Sequence, residues 1–140
     1  MIIAVDFDGT IVEHRYPEIG KEKLFAFETL LSLQKQKHKL ILWTYRAGKE
    51  LDEALSFCKE NGLTFYAVNA NSPGEKYVEG KISRKIYADL YIDDRNIGGF
   101  PGWGEIWNMI NPDSVKDHSE LSRTLRRNKK GGFFSKIFKS

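Results

Sequence analysis

Two pairs of carboxylates carry the chemical interest of this chain: Asp6 and Asp8, two residues apart, and Asp93 and Asp94, adjacent. In an extended chain, residues two apart point to the same side, so Asp6 and Asp8 face one pocket. Carboxylates held that close repel each other. A bound proton or a divalent cation between them relieves the repulsion, and oxygen donors of this kind suit magnesium. Gly9 lets the chain turn sharply beneath a bound group, and Thr10 holds the turn by hydrogen bonding. A calcium loop of the EF-hand type would need more oxygen ligands at fixed spacing and a Glu at its twelfth position, which do not follow Thr10.

The elements that position these residues are short apolar runs. Ile2, Ile3, Ala4 and Val5 form a buried strand that ends at Asp6. Residues 11–20, with Pro17 among them, read as a loop over the mouth of the site. Leu24, Phe27, Leu30 and Leu31 recur at helical spacing and predict an amphipathic helix over 21–36. Residues 40–43 predict a second strand ending at Thr44, and residues 47–60 a second helix stopped by Asn61 and Gly62. A third strand is expected at 65–68, a loop at 69–80, a fourth strand at 88–92 running into Asp93 and Asp94, and a short helix at about 104–110. Strands alternating with helices imply an α/β fold, a doubly wound parallel sheet with helices on both faces, whose ligands bind beyond the carboxyl ends of the strands.

The chain has 140 residues, 41% hydrophobic and 29% charged, which fits one ordinary domain with a single core. The expected organisation is a core over residues 1–112 and a basic tail over 113–140. No run approaches a membrane span, and the opening residues do not resemble a signal peptide. The single cysteine, Cys58, is in register with Leu51, Ala54 and Leu55 on one helix face, which makes it a packed thiol rather than a reactive one. These features suit the cytoplasm. His14, His38 and His118 lack metal-ligand spacing, and Trp43, Trp103 and Trp107 read as packing residues. The net charge of +3 is uneven: residues 116–140 hold eight Lys or Arg against Asp117 and Glu120, which leaves the first 115 residues at −3.

The string Asp6-Phe7-Asp8-Gly9-Thr10 resembles the first motif of the haloacid-dehalogenase-like (HAD) hydrolases. The resemblance implies that Asp6 is a nucleophile that forms an aspartyl-phosphate and that Asp8 is the general acid and base. An Asp at the second position looks like the phosphohydrolase branch. Thr44 at a strand end is similar to the second motif, where a hydroxyl donates to a phosphoryl oxygen, and Arg46 is a candidate contact to phosphate or leaving group. The third-motif cation is expected at Lys85, with Lys81 as rival and Arg84 as a weaker candidate. Asp93 and Asp94 match the acidic pair of the fourth motif. Magnesium would be held by Asp6, the backbone carbonyl of Asp8 and Asp93, with Asp94 direct or through water.

The function so implied is a magnesium-dependent phosphomonoester hydrolase. The matching stretch, about residues 1–110, has no room for a separate cap domain, so the chain resembles the capless class. Alternatives are a 5′-nucleotidase-like activity, suggested by the Ile92-Asp93-Asp94-Arg95 ending, and a catalytically weak module that acts through its tail. In that tail, Arg123, Arg126, Arg127, Lys129 and Lys130 precede Phe133, Phe134, Ile137 and Phe138. This pattern suits a membrane-surface anchor, or a terminus whose aromatics cover an apolar patch on the domain or on a partner protein. Nucleic acid does not account for three Phe in six residues. The phosphorylated substrate, small molecule or macromolecule, is not encoded in any of these motifs.

Overall fold

The computed structural model describes residues 1–114 together with Arg123, Arg126 and Arg127. The chain divides into two units, Met1–Trp103 and Gly104–Ser140. The first is an α/β unit built on a four-stranded parallel sheet. Its strands are β1 (Ile2–Val5), β2 (Lys39–Leu42), β3 (Ala67–Val68) and β4 (Leu90–Ile92), in the spatial order β3-β2-β1-β4. Between them run α1 (Ala26–Lys35) and α2 (Gly48–Glu60), and α3 (Trp103–Ile110) begins at the last residue of the first unit.

β1 is central because it is apolar at consecutive positions. Ile3, Ala4 and Val5 are all buried, as are Leu40, Ile41 and Leu42 of β2, so both faces of these strands are covered. Ile3 pairs with Leu40 on one side and with Leu90 on the other. Ala4, Ile41, Ala67 and Ile86 form one core cluster, with Ile2, Trp43 and Ala88 packed against it. Phe57 of α2 meets Phe7 edge-on at 6.3 Å and Phe27 of α1 at 5.8 Å, which ties both helices to the chain just beyond β1. The Cys58 thiol is buried, and burial pushes its pKa up to about 12, as a packed thiol requires.

Helix α1 starts five residues later than the apolar spacing predicts. The backbone of 21–23 is used elsewhere: Lys23 N–H donates to Ile11 O at 2.9 Å, and Glu13 N–H donates to Lys21 O at 2.7 Å. Gly20 permits this approach, since a Cβ there would lie 1.9 Å from Glu13 O. Leu24 continues the helical spacing by coincidence and is 76% exposed. The third and fourth strands are shorter than the apolar runs that contain them, two and three residues long. The apolar residues of these runs outside the strands, Phe65, Tyr66 and Ala88, are only partly buried or exposed. Among the described residues no helix is long and apolar enough to cross a membrane. Lys129, Lys130, Phe133, Phe134, Ile137 and Phe138, on which the anchor reading rests, lie outside the described residues.

Candidate active site

The carboxyl ends of β1, β2 and β4 open onto one cleft. Backbone bonds carry the ladder past the strand ends: Asp6 N–H donates to Ile92 O at 3.0 Å and Trp43 N–H to Val5 O at 2.8 Å. Asp6, Asp8, Thr44 and Asp93, four of the residues expected from the sequence, therefore line a common cleft of about 670 Å³, along with His14, Tyr16, Trp43, Tyr45 and Arg95.

Carboxylate oxygens of Asp6, Asp93 and Asp94 all lie within 4.8 Å of one another. The pKa of Asp6 is raised from 3.8 to about 7, first by burial and then by the charge of Asp93. A divalent cation answers this arrangement, because a hard ion takes carboxylate oxygens and its charge restores the ionised form of Asp6. The donor set therefore fits magnesium. The Asp8 carboxylate is not part of this cluster.

Thr10 joins the two acidic elements across 84 positions of sequence. Its buried hydroxyl donates to Asp6 Oδ2 at 3.2 Å and accepts from the Asp94 backbone N–H at 3.1 Å, while Trp103 Nε1 donates to Thr10 O at 2.8 Å. Gly9 stands at φ +83°, and a Cβ there would lie 2.0 Å from Asp94 Oδ2. Its part is thus to admit the Asp94 carboxylate, rather than only to turn the chain.

Asp8 is held by Arg46. Nε donates to Asp8 Oδ2 at 2.7 Å and a terminal nitrogen to Oδ1 at 2.8 Å, the bidentate geometry of a guanidinium and a carboxylate. The other donors go to the carbonyls of Pro17, Glu50 and Glu18. All five N–H groups of this buried side chain are thereby taken. The expected contact between Arg46 and a phosphoryl group or leaving group therefore does not fit: the residue has no donor to offer, and it orients Asp8 instead. The hydrogen bond to Asp8 raises the Arg46 pKa above its ordinary value, outweighing the opposing effect of burial.

Thr44 accepts from Arg46 N–H at 3.1 Å, and its own N–H donates to Asn69 Oδ1 at 2.8 Å. Its hydroxyl hydrogen is left for a ligand in the cleft. Lys85 is exposed, with Nζ 5.0 Å from the Tyr91 ring centroid, and neither it nor Lys81 lines the cleft. The cation on the lining is Arg95, whose guanidinium donates to His14 Nε2 at 3.3 Å. Sequence spacing marks neither Arg95 nor His14, since they are 81 positions apart. Asn69, at φ +48°, opens the loop expected at 69–80, but its bond to the Thr44 N–H is a contact that spacing does not mark.

No family model and no curated protein matches the chain. A conserved protein of solved structure from Bacteroides thetaiotaomicron is similar to it, at 58% identity over 81% of this chain and 91% of that one, with a TM-score of 0.76. The chain belongs to the same family as that protein.

Proposed function

We propose that this chain is a magnesium-dependent phosphomonoester hydrolase of the HAD type, with a doubly wound core and no separate cap. The observation that carries the reading is the meeting of Asp6, Asp93 and Asp94 at the ends of two adjacent strands, beside an Asp8 clamped by Arg46. Asp6, Asp93 and Asp94 would hold the cation, which supplies charge neutralisation and keeps the nucleophile ionised.

In the first half-reaction, an Asp6 oxygen attacks phosphorus and the bond to the leaving oxygen breaks as Asp8 gives that oxygen a proton. In the second, Asp8 takes a proton from water, the water oxygen attacks phosphorus, and the Asp6–phosphorus bond breaks to release phosphate. Each Asp8 oxygen spends one lone pair on Arg46 and keeps another for this transfer. The Thr44 hydroxyl donates to a phosphoryl oxygen. Arg95 offers positive charge at the cleft, whereas a contribution from Lys85 requires its stem to leave the Tyr91 ring. Comparing Lys85→Met with Arg95→Met shows which cation the reaction uses.

The test is release of inorganic phosphate from a panel of small phosphomonoesters, with magnesium and with chelator. Turnover that needs the metal and vanishes in Asp6→Asn supports the reading. Undiminished turnover in Asp6→Asn would exclude the covalent route.

A further inference from the structure

Three of the residues that line the cleft are aromatic. Tyr16, Trp43 and Tyr45 stand beside the acidic floor, and each has a different support. Trp43 packs on the core cluster of Ala4, Ile41, Ala67 and Ile86. Tyr16 lies against the buried Arg46 guanidinium, 5.2 Å from its ring centroid, so the cation that orients Asp8 also backs this ring. Tyr45 meets Tyr16 edge-on at 6.1 Å and is otherwise 90% exposed. A tyrosine that open, on a cleft whose other lining groups are the polar Asp6, Asp8, Thr44, Asp93, His14 and Arg95, covers no core of its own. Its free surface is available to a flat ring.

We infer that the substrate is a phosphomonoester whose alcohol carries a flat aromatic ring, and that Tyr45, with Tyr16 and Trp43, stacks against that ring while the phosphoryl group lies at Asp6. The inference rests on the phosphatase reading for its orientation. A phosphoryl group at Asp6, beside Asp8, Thr44 and Asp93, leaves Tyr16, Trp43 and Tyr45, with His14 and Arg95, as the lining the rest of the molecule meets. A polyhydroxylated alcohol would find few hydrogen-bonding partners on the three rings, whereas an aromatic face gains by stacking. Stacking on a protein aromatic is worth about tenfold in affinity or more.

The experiment compares a purine ribonucleoside 5′-monophosphate with ribose 5-phosphate, which share the same leaving hydroxyl and differ in the ring. In wild-type protein with magnesium, kcat/KM is expected to favour the nucleotide by about tenfold or more, mostly through KM. In Tyr45→Ala the ratio should fall toward one, and Tyr45→Trp should restore it. Binding of the same two ligands is read in parallel by quenching of tryptophan fluorescence, which needs no turnover. Equal binding of the two by wild type, or a preference unchanged in Tyr45→Ala, overturns the inference whatever the enzyme hydrolyses. Preferential, Tyr45-dependent binding without phosphate release upholds the aromatic site and refutes the phosphatase reading instead.

Discussion

At the scale of single residues, Asp6 is the group whose state the surroundings decide. Its pKa moves from 3.8 to about 7 through burial and the neighbouring Asp93 charge. Between those values the folded protein keeps a proton that the unfolded chain has released, so without metal its stability falls as pH rises from about 4 to about 7. Urea midpoints measured in chelator across that range should show the fall in wild type and a flatter profile in Asp6→Asn. Magnesium should raise the wild-type midpoint most at the alkaline end, where the carboxylates repel one another. A midpoint indifferent to magnesium at pH 7.5 would count against the site. Gly9→Ala should mimic loss of the metal, because its Cβ would meet Asp94 Oδ2 at 2.0 Å and its φ of +83° resists a side chain. The expected outcome is a weakened magnesium-induced rise in melting temperature. The two Asp residues were legible because type and spacing suffice to mark them; the role of Thr10 was not, since its second partner lies at the far end of the unit.

At the scale of elements, Arg46 joins three segments: the Asp8 turn, the loop at Pro17 and Glu18, and the first turn of α2 at Glu50. Removing the guanidinium would leave a carboxylate and three carbonyls without their donor. Arg46→Met should therefore destabilise the protein by about 3–5 kcal/mol in urea unfolding. Arg46→Lys keeps the charge but loses the fork, so it should recover only part of the stability and little of the turnover. Wild-type stability in Arg46→Lys would show that charge alone matters here. Helix α1 teaches the complementary lesson. Of the residues marked by periodicity, Phe27 and Leu30 lie on its buried face with Ala26 and Leu33, whereas Leu24 is exposed. Its start was not readable, because the pairing of 21–23 with 11–13 is a contact between segments and leaves no local pattern.

At the scale of the whole molecule, the proposed catalysis falls in the first unit and the basic charge in residues 116–140. Deleting residues 128–140 should preserve turnover of a small phosphomonoester, and it should weaken sedimentation with anionic vesicles at low salt. Equal vesicle binding by both forms would leave the other expectation for the tail, a terminus that covers an apolar patch on the domain or on a partner protein. Loss of turnover would show that the tail belongs to the catalytic fold.

What the sequence determined by itself was local: an apolar strand running into Asp6 and Asp8, another running into Asp93 and Asp94, and the alternation of strands and helices that makes a parallel sheet. These follow from backbone periodicity and from turn chemistry, which act over a few residues. The tertiary structure alone decided which polar groups face each other. It set Arg46 on Asp8 across 38 positions, Thr10 on Asp94 across 84, and Arg95 on His14 across 81, while leaving Lys85 on the Tyr91 ring. For Arg46 and Thr10 the physical reason is that a buried donor or acceptor must find a partner once water is gone, and in every case chain packing rather than sequence spacing determines which partner is near.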